Sequence, residues 1–383
     1  MRSVAALLLA ASACSDPERP SYYTSLVDAG YSDAGGIRPP DAGPPAEDAG
    51  GLCGNQVIPV ILERPNVYFV MDRSGSMALP VDLHDRYTTA RLAIADVLRA
   101  IGHRIAYGAA VLPAFRNPDY CATGEQVFAT TQGDPLAADR TQNGPTLQTF
   151  LRLLSGYSPS GNTPIAATLV TLTPTLLALP GRTVVILATD GGPNCNSEAR
   201  CGPERCILNI EGARSNDVVC AGDFNCCDPE NLRDGPRMCV DEAEAVAALE
   251  TLADGGVSTY VVGLPGSSVY ADVLNRFAQA GGTARPSTPS YYATADRAEL
   301  TDALRGIIGS VAISCDVLLD AEPPARSLVN VYFDQRVVPH NESDGWSWIG
   351  ESALRIQGAR CDELKSGDVA RVQVVSGCET IVE

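Results

Sequence analysis

From about Ile58 to Ala312 the chain alternates short apolar runs with amphipathic, helix-period segments. Few architectures accept that alternation. Strands are expected at Val67–Asp72, Arg104–Leu112, Thr183–Thr189, Val257–Gly263 and Tyr291–Ala293, with a short edge strand at Gln126–Thr130. Helices are expected near Tyr87–Ile101, Pro145–Leu154, Pro164–Leu179, Val240–Ala253, Val269–Ala280 and Arg297–Val311. Strand–helix alternation of this length implies an α/β fold, a doubly wound and mainly parallel sheet with helices on both faces.

Three stretches fall where such a sheet places ligands, outside the carboxyl ends of its strands. The buried-strand pattern Val67–Asp72 ends in Asp72-Arg73-Ser74-Gly75-Ser76, so a carboxylate and two hydroxyls leave one strand end together. Ser160-Gly161-Asn162-Thr163-Pro164 is a loop entering a helix, with Pro164 suited to the first helical position. The apolar run Thr183–Ala188 then ends in Thr189-Asp190-Gly191-Gly192. Taken singly, each stretch reads equally well as a turn or a capped helix. Together, Asp72, Ser74, Ser76, Thr163 and Asp190 are hard oxygen donors, which suit Mg²⁺, Mn²⁺ or Ca²⁺ rather than zinc or copper.

In this order the motifs resemble the von Willebrand factor A (VWA) family, whose metal-ion-dependent adhesion site begins with Asp-x-Ser-x-Ser. The resemblance implies a VWA, Rossmann-like domain over residues 52–314. It implies that Asp72 and Asp190 bind a cation directly or through water, that Ser74, Ser76 and Thr163 supply hydroxyl ligands, and that Mg²⁺ is the expected ion. It also implies one coordination position left for an Asp or Glu carboxylate of a partner protein. Coordination number agrees, because two carboxylates and three neutral hydroxyls do not fill the shell of a six-coordinate divalent cation.

Residues 1–14 read as a signal peptide: Met1-Arg2 supplies the positive start and Val4–Ala11 an apolar core. That core is far short of the about 20 residues of a membrane span. Ala11-Ser12-Ala13-Cys14 resembles a bacterial lipobox, which implies cleavage before Cys14, its lipidation, and anchoring to a lipid bilayer of the cell envelope, at the outer membrane or cell surface. The alternative is an ordinary secretory signal. Cysteine parity favours the lipoprotein, since thirteen cysteines less Cys14 leave an even set. Residues 15–51 repeat Asp-Ala-Gly among prolines and read as a disordered tether.

The remaining cysteines are disulfide candidates in an oxidising compartment. Seven of them (Cys195, Cys201, Cys206, Cys220, Cys226, Cys227 and Cys239) crowd the insertion 191–239 that follows Asp190. Their spacing does not fit a zinc ribbon. An odd set needs an outside partner, for which Cys121 is the candidate. The insertion is expected to act as a lid that selects the partner while leaving cation affinity untouched. Residues 315–383 read as a small β-rich domain, with Cys361 and Cys378 expected to staple it and Cys53 and Cys315 to clamp the ends of the central domain.

A net charge of −18 repels nucleic acid. His84, His103 and His340 are scattered, and no nucleophile elbow, His-Glu-x-x-His or phosphate loop is present. Binding rather than catalysis is therefore expected. Two alternatives stand: an envelope scaffold in which the cation only holds loops together, and a metal-assisted hydrolase.

Overall fold

Six strands build the central sheet of the computed structural model, which describes residues 56–58, 60–61, 64–114, 119–135, 142–215, 218–312, 314–366, 369 and 371–382. Cys14, the 15–51 tether and Cys53 lie outside these residues. The strands are β1 (Asn66–Asp72), β2 (Ala106–Leu112), β3 (Glu125–Gln132), β4 (Thr183–Thr189), β5 (Ser258–Gly263) and β6 (Tyr292–Ala293), in the order β6-β5-β4-β1-β2-β3. All pairings are parallel except that of β3 with β2.

Both β1 and β4 are buried along their whole length, as parallel strands between two helical layers must be. Alternate residues face opposite ways. Val67, Phe69 and Met71 point into the layer containing α1 (Arg86–Ile101), α2 (Pro145–Ser155) and α6 (Arg297–Ala312). Tyr68 and Val70 point toward α3 (Ile165–Leu177), α4 (Glu242–Asp254) and α5 (Ala271–Ala280). The doubly wound expectation holds, with small shifts at element ends. Pro164, for example, is the N-cap of α3 rather than its first residue.

Two antiparallel four-stranded sheets follow the central domain. One joins Gln56–Ile58, Val372–Ser376, Val329–Phe333 and Arg336–Val338; the other joins Trp346–Trp348, Ala353–Ile356, Asp316–Leu319 and Val60–Ile61. Gln56–Ile58 and Val60–Ile61, expected within the central domain, pair with these sheets instead, Val57 opposite Val375 and Ile61 opposite Leu318. Strands of three and two residues carry no readable period. A helix at Gly358–Ser366 is also absent from the sequence reading, for it buries only Leu364. It approaches α6 so closely that a Cβ on Gly309 would lie 2.5 Å from the Lys365 carbonyl oxygen. One apolar cluster runs from the α6 side of the sheet through Val317, Val331 and Trp346.

Cys315 bonds to Cys361, which overturns both expected staples, Cys361 with Cys378 and Cys53 with Cys315. The strand beginning at Asp316 and the new helix bring the Cα atoms of Cys315 and Cys361 to 5.6 Å, well within disulfide reach. Cys378 is disulfide-bonded as well.

The insertion has its own small core of Cys206, Cys220, Cys226, Cys227 and Cys239. Its disulfides are Cys201–Cys239, Cys206–Cys227 and Cys220–Cys226, and Cys195 reaches out to Cys121. The sulfurs of Cys201, Cys227 and Cys239 lie within 4.8 Å of one another. Each is held in a disulfide, so this group offers no thiolate to a metal.

Candidate metal centre

Strands β1 and β4 are neighbours with Met71 opposite Ala188, so Asp72 and the Thr189-Asp190 pair leave the sheet side by side at its carboxyl edge. The chain passes from β1 to β2 on one side and later to β4 on the other. That reversal is a topological switch point, where open α/β sheets form their crevice.

Hydrogen bonds link the motif residues into one chain. The Ser74 amide donates to Asp72 Oδ1 at 2.7 Å, and the Ser74 and Ser76 hydroxyls lie 3.1 Å apart. Ser76 Oγ donates to Asp190 Oδ1 at 2.8 Å. Thr189 Oγ1 donates to Asp72 Oδ2 at 2.6 Å, and Arg86 Nη1 donates to Asp190 Oδ2, also at 2.6 Å. Each carboxylate oxygen of the pair therefore has a donor.

The Thr163 loop docks on the same edge through backbone bonds. The Gly75 amide donates to the Gly161 carbonyl at 2.9 Å, and the Ser160 amide donates to the Arg73 carbonyl at 2.7 Å. Gly161 has φ +89°, a conformation that glycine adopts without strain. Arg73, buried behind the loops, donates to the Ser158 and Pro113 carbonyls. Thr163 itself is clamped by Asn194, whose side-chain Oδ1 accepts from the Thr163 backbone N–H at 2.7 Å and whose backbone N–H donates to the Thr163 carbonyl at 3.0 Å.

Asn194 lies inside the insertion, next to Cys195 and its bond to Cys121. The insertion's first turn is thus bonded directly to Thr163, one of the residues expected at the cation site. Arg237 adds an ion pair to Asp119 at 3.0 Å, and Tyr270 donates to Glu211 at 2.9 Å beside the Arg86–Asp190 pair.

Asp72 is 0% exposed and Asp190 2% exposed. Burial first, and then the facing charge of Asp190, push the Asp72 carboxyl up to about 7, against hydrogen bonds from Thr189 and Ser74 that favour its charged form. Burial raises Asp190 too, opposed by Arg86 and Ser76. Two buried carboxylates that repel each other and are ringed by hydroxyls form a donor set fitted to a hard divalent cation. On loading, that cation would supply the missing positive charge, with Asp72, Ser74, Ser76, Thr163 and Asp190 as the residues to hold it.

A pH dependence follows. Below its ordinary value of 3.8 the Asp72 carboxyl is protonated whether the chain is folded or not. Between there and about 7 the fold keeps a proton that the unfolded chain loses, so stability falls as pH rises. Asp190, Glu211 and Asp241 are shifted in the same direction. With excess chelator the protein is expected to melt lower at about pH 8 than at about pH 5.5, and Asp72→Asn to shrink the difference. A melting temperature that rises with pH in the chelated protein would contradict this. Excess cation should reverse the trend, because it needs both carboxylates ionised.

Four residues of the centre were not singled out from the sequence: Arg73, Arg86, Thr189 and Asn194. Thr189 had a signal, as a polar residue at the end of an otherwise apolar strand beside Asp190. Arg73 and Asn194 are placed by loop packing, and Arg86 by the first turn of α1. The histidines stand apart: His84 in a short hairpin, His103 in the turn after α1, and His340 edge-on to Trp346.

No family profile matches this chain, and no curated protein matches it. Solved structures do. The PilB minor pilin from Streptococcus sanguinis is 14% identical over 65% of this chain and 61% of its own, with a TM-score of 0.42. The vWF domain of the type V pili tip protein Mfa5 from Porphyromonas gingivalis is 12% identical over 66% of this chain and 96% of its own, with a TM-score of 0.41. The manganese-loaded TRAP protein of Plasmodium vivax is 16% identical over 63% of this chain and 72% of its own, with a TM-score of 0.36. The chain thus spans less than two thirds of the PilB chain. These TM-scores lie below 0.5, and the fold assignment rests instead on strand order, register and the two helical layers. On those grounds the central domain is a doubly wound, mainly parallel α/β fold, the architecture that the resemblance to the von Willebrand factor A family implies.

Proposed function

We propose that this chain is an envelope-anchored binding protein that holds one divalent cation at the carboxyl edge of β1 and β4 and uses it to capture an acidic group of a protein partner. The observation that carries this reading is the hydrogen-bonded set of Asp72, Ser74, Ser76 and Asp190, with its two buried carboxylates in mutual repulsion. A cation would relieve that repulsion and still accept a further anionic ligand. Mg²⁺ is the favoured ion, with Mn²⁺ or Ca²⁺ as substitutes. Titrating the full chain with Mn²⁺ in a calorimeter is expected to give one binding event, and Ser76→Ala to weaken it at least tenfold with an unchanged circular dichroism spectrum. Equal affinity in the variant would sink the assignment. Unfolding on chelation alone would favour the scaffold reading, in which the cation only holds loops together.

The second half of the proposal is the anchor. Among the described residues no helix is long and apolar enough to cross a membrane, and Cys14 is the residue proposed to carry lipid. Cys14→Ser is expected to move the protein from the detergent phase to the aqueous phase. A mature N-terminus elsewhere than Cys14, measured by mass spectrometry, would refute it.

A further inference from the structure

We infer that Arg86 is a built-in competitor of the divalent cation, so that this one side chain sets how tightly the site loads. The inference rests on the metal-binding reading above and adds a residue that the ligand motif does not contain. Arg86 is the first residue of α1, directly after its N-cap Asp85. A cation is poorly placed at a helix N-terminus, where the backbone dipoles already point their positive ends. The side chain is only 14% exposed, and its Nε is buried without a hydrogen-bond partner. A guanidinium desolvated in this way has one strong compensation, its 2.6 Å bond to Asp190 Oδ2.

The surrounding fold makes room for it there. Gly266 has φ +100°, and a Cβ at that position would lie 2.4 Å from Arg86 Nη2 and 2.7 Å from Cζ. A side chain at 266 and the guanidinium cannot occupy the same space. On the other edge of Asp190, Oδ1 is taken by Ser76, the second serine of the motif. A divalent ion entering among these oxygens must therefore share Asp190 with a guanidinium or expel it.

Both courses lower cation affinity. If Arg86 stays, a double and a single positive charge face the same buried carboxylate, where screening by water is weak. If it leaves, a buried ion pair is broken and the guanidinium needs a new partner. Glu211, held by the Tyr270 hydroxyl, interacts with both Asp190 and Arg86 and offers such a partner. Arg86 that stays also has a use. The charges of Asp72 and Asp190 balance a divalent ion by themselves, so Arg86 leaves the loaded pair net positive and better suited to an incoming carboxylate.

The test is Mn²⁺ titration of the full chain by calorimetry in wild type, Arg86→Gln and Arg86→Lys. Arg86→Gln is expected to bind at least about tenfold more tightly, a 1.4 kcal/mol change, and Arg86→Lys, which keeps the charge, to stay near wild type. A wild type that binds Mn²⁺ while Arg86→Gln binds equally or more weakly would overturn the competition and make Arg86 a positioning residue for Asp190. Absence of binding in both would remove the cation reading itself and this inference with it. A second measurement needs no variant: in arginine side-chain NMR of the wild type, Mg²⁺ is expected to shift the Arg86 Nε–H resonance. An unmoved resonance at saturating Mg²⁺ would also overturn the inference.

Discussion

Phe150→Ala is expected to cost about 3–5 kcal/mol of stability and to lower the melting temperature by roughly 10 °C. Phe150 lies on α2 and is fully buried. Its ring is 6.0 Å from Phe69 on β1, 5.2 Å from Tyr107 on β2 and 5.4 Å from Phe128 on β3, each in an edge-to-face arrangement. Such pairs add to the area they bury, and three strands and a helix surround the site, so the cavity left by alanine has little freedom to close. Circular dichroism melts of the variant check the magnitude. Mn²⁺ affinity measured well below the melting range should remain that of the wild type, because Phe150 touches none of the proposed ligands. A loss below about 1 kcal/mol would mean that the layer repacks around the missing ring.

The same cluster illustrates what a reader of the sequence has available. Phe69 and Phe150 sit in segments whose periods announce a strand and a helix, and the longer elements of the central domain were legible in that way. Legibility fails where an element takes its stability from a partner rather than from its own pattern. Gln56–Ile58 and Val60–Ile61 are too short for a period and exist because Val372–Ser376 and Asp316–Leu319 offer free edges. The Gly358–Ser366 helix has almost no apolar face and is held by Cys361 and by its approach to Gly309.

The candidate site divides along the same line. Its oxygen donors stand at strand ends, where motif and periodicity meet, so Asp72, Ser74, Ser76 and Asp190 could be placed together before any coordinates. The residues that hold them come from elsewhere. Asn194 and Arg86 reach the centre through a disulfide-bound loop and the first turn of α1. No local pattern marks a residue whose partner is decided by how two loops pack. The disulfides show both limits: parity pointed from the insertion toward Cys121 without saying which cysteine reaches it, while the pairing of Cys315 depended on an unforeseen helix.

Exchanging both Cys121 and Cys195 for serine is expected to weaken Mn²⁺ binding at least tenfold although neither sulfur is a ligand. The bridge spans 74 residues and joins the two loops on either side of Thr163. On one side the Asn162 amide donates to the Tyr120 carbonyl at 2.8 Å, one residue from Cys121. On the other, Asn194 clamps Thr163, one residue from Cys195. Cys195 is itself in the left-handed region at φ 86°, a conformation that costs a non-glycine residue about 1–3 kcal/mol. The hydrogen bond that its backbone N–H donates to the Arg237 carbonyl and the cross-link hold it there. Without the cross-link the backbone can relax toward a common conformation, and Asn194 moves with it. The half-exposed Arg237–Asp119 pair is a weak substitute, since surface ion pairs contribute about 0–1 kcal/mol. Global stability should fall as well, by about 2–4 kcal/mol for a lost cross-link of this kind, so the titration belongs at a temperature where the variant is fully folded. The affinity change separates two roles for the insertion. A loop stapled only against proteases would lose stability and keep its cation, whereas a loop that positions Thr163 loses both.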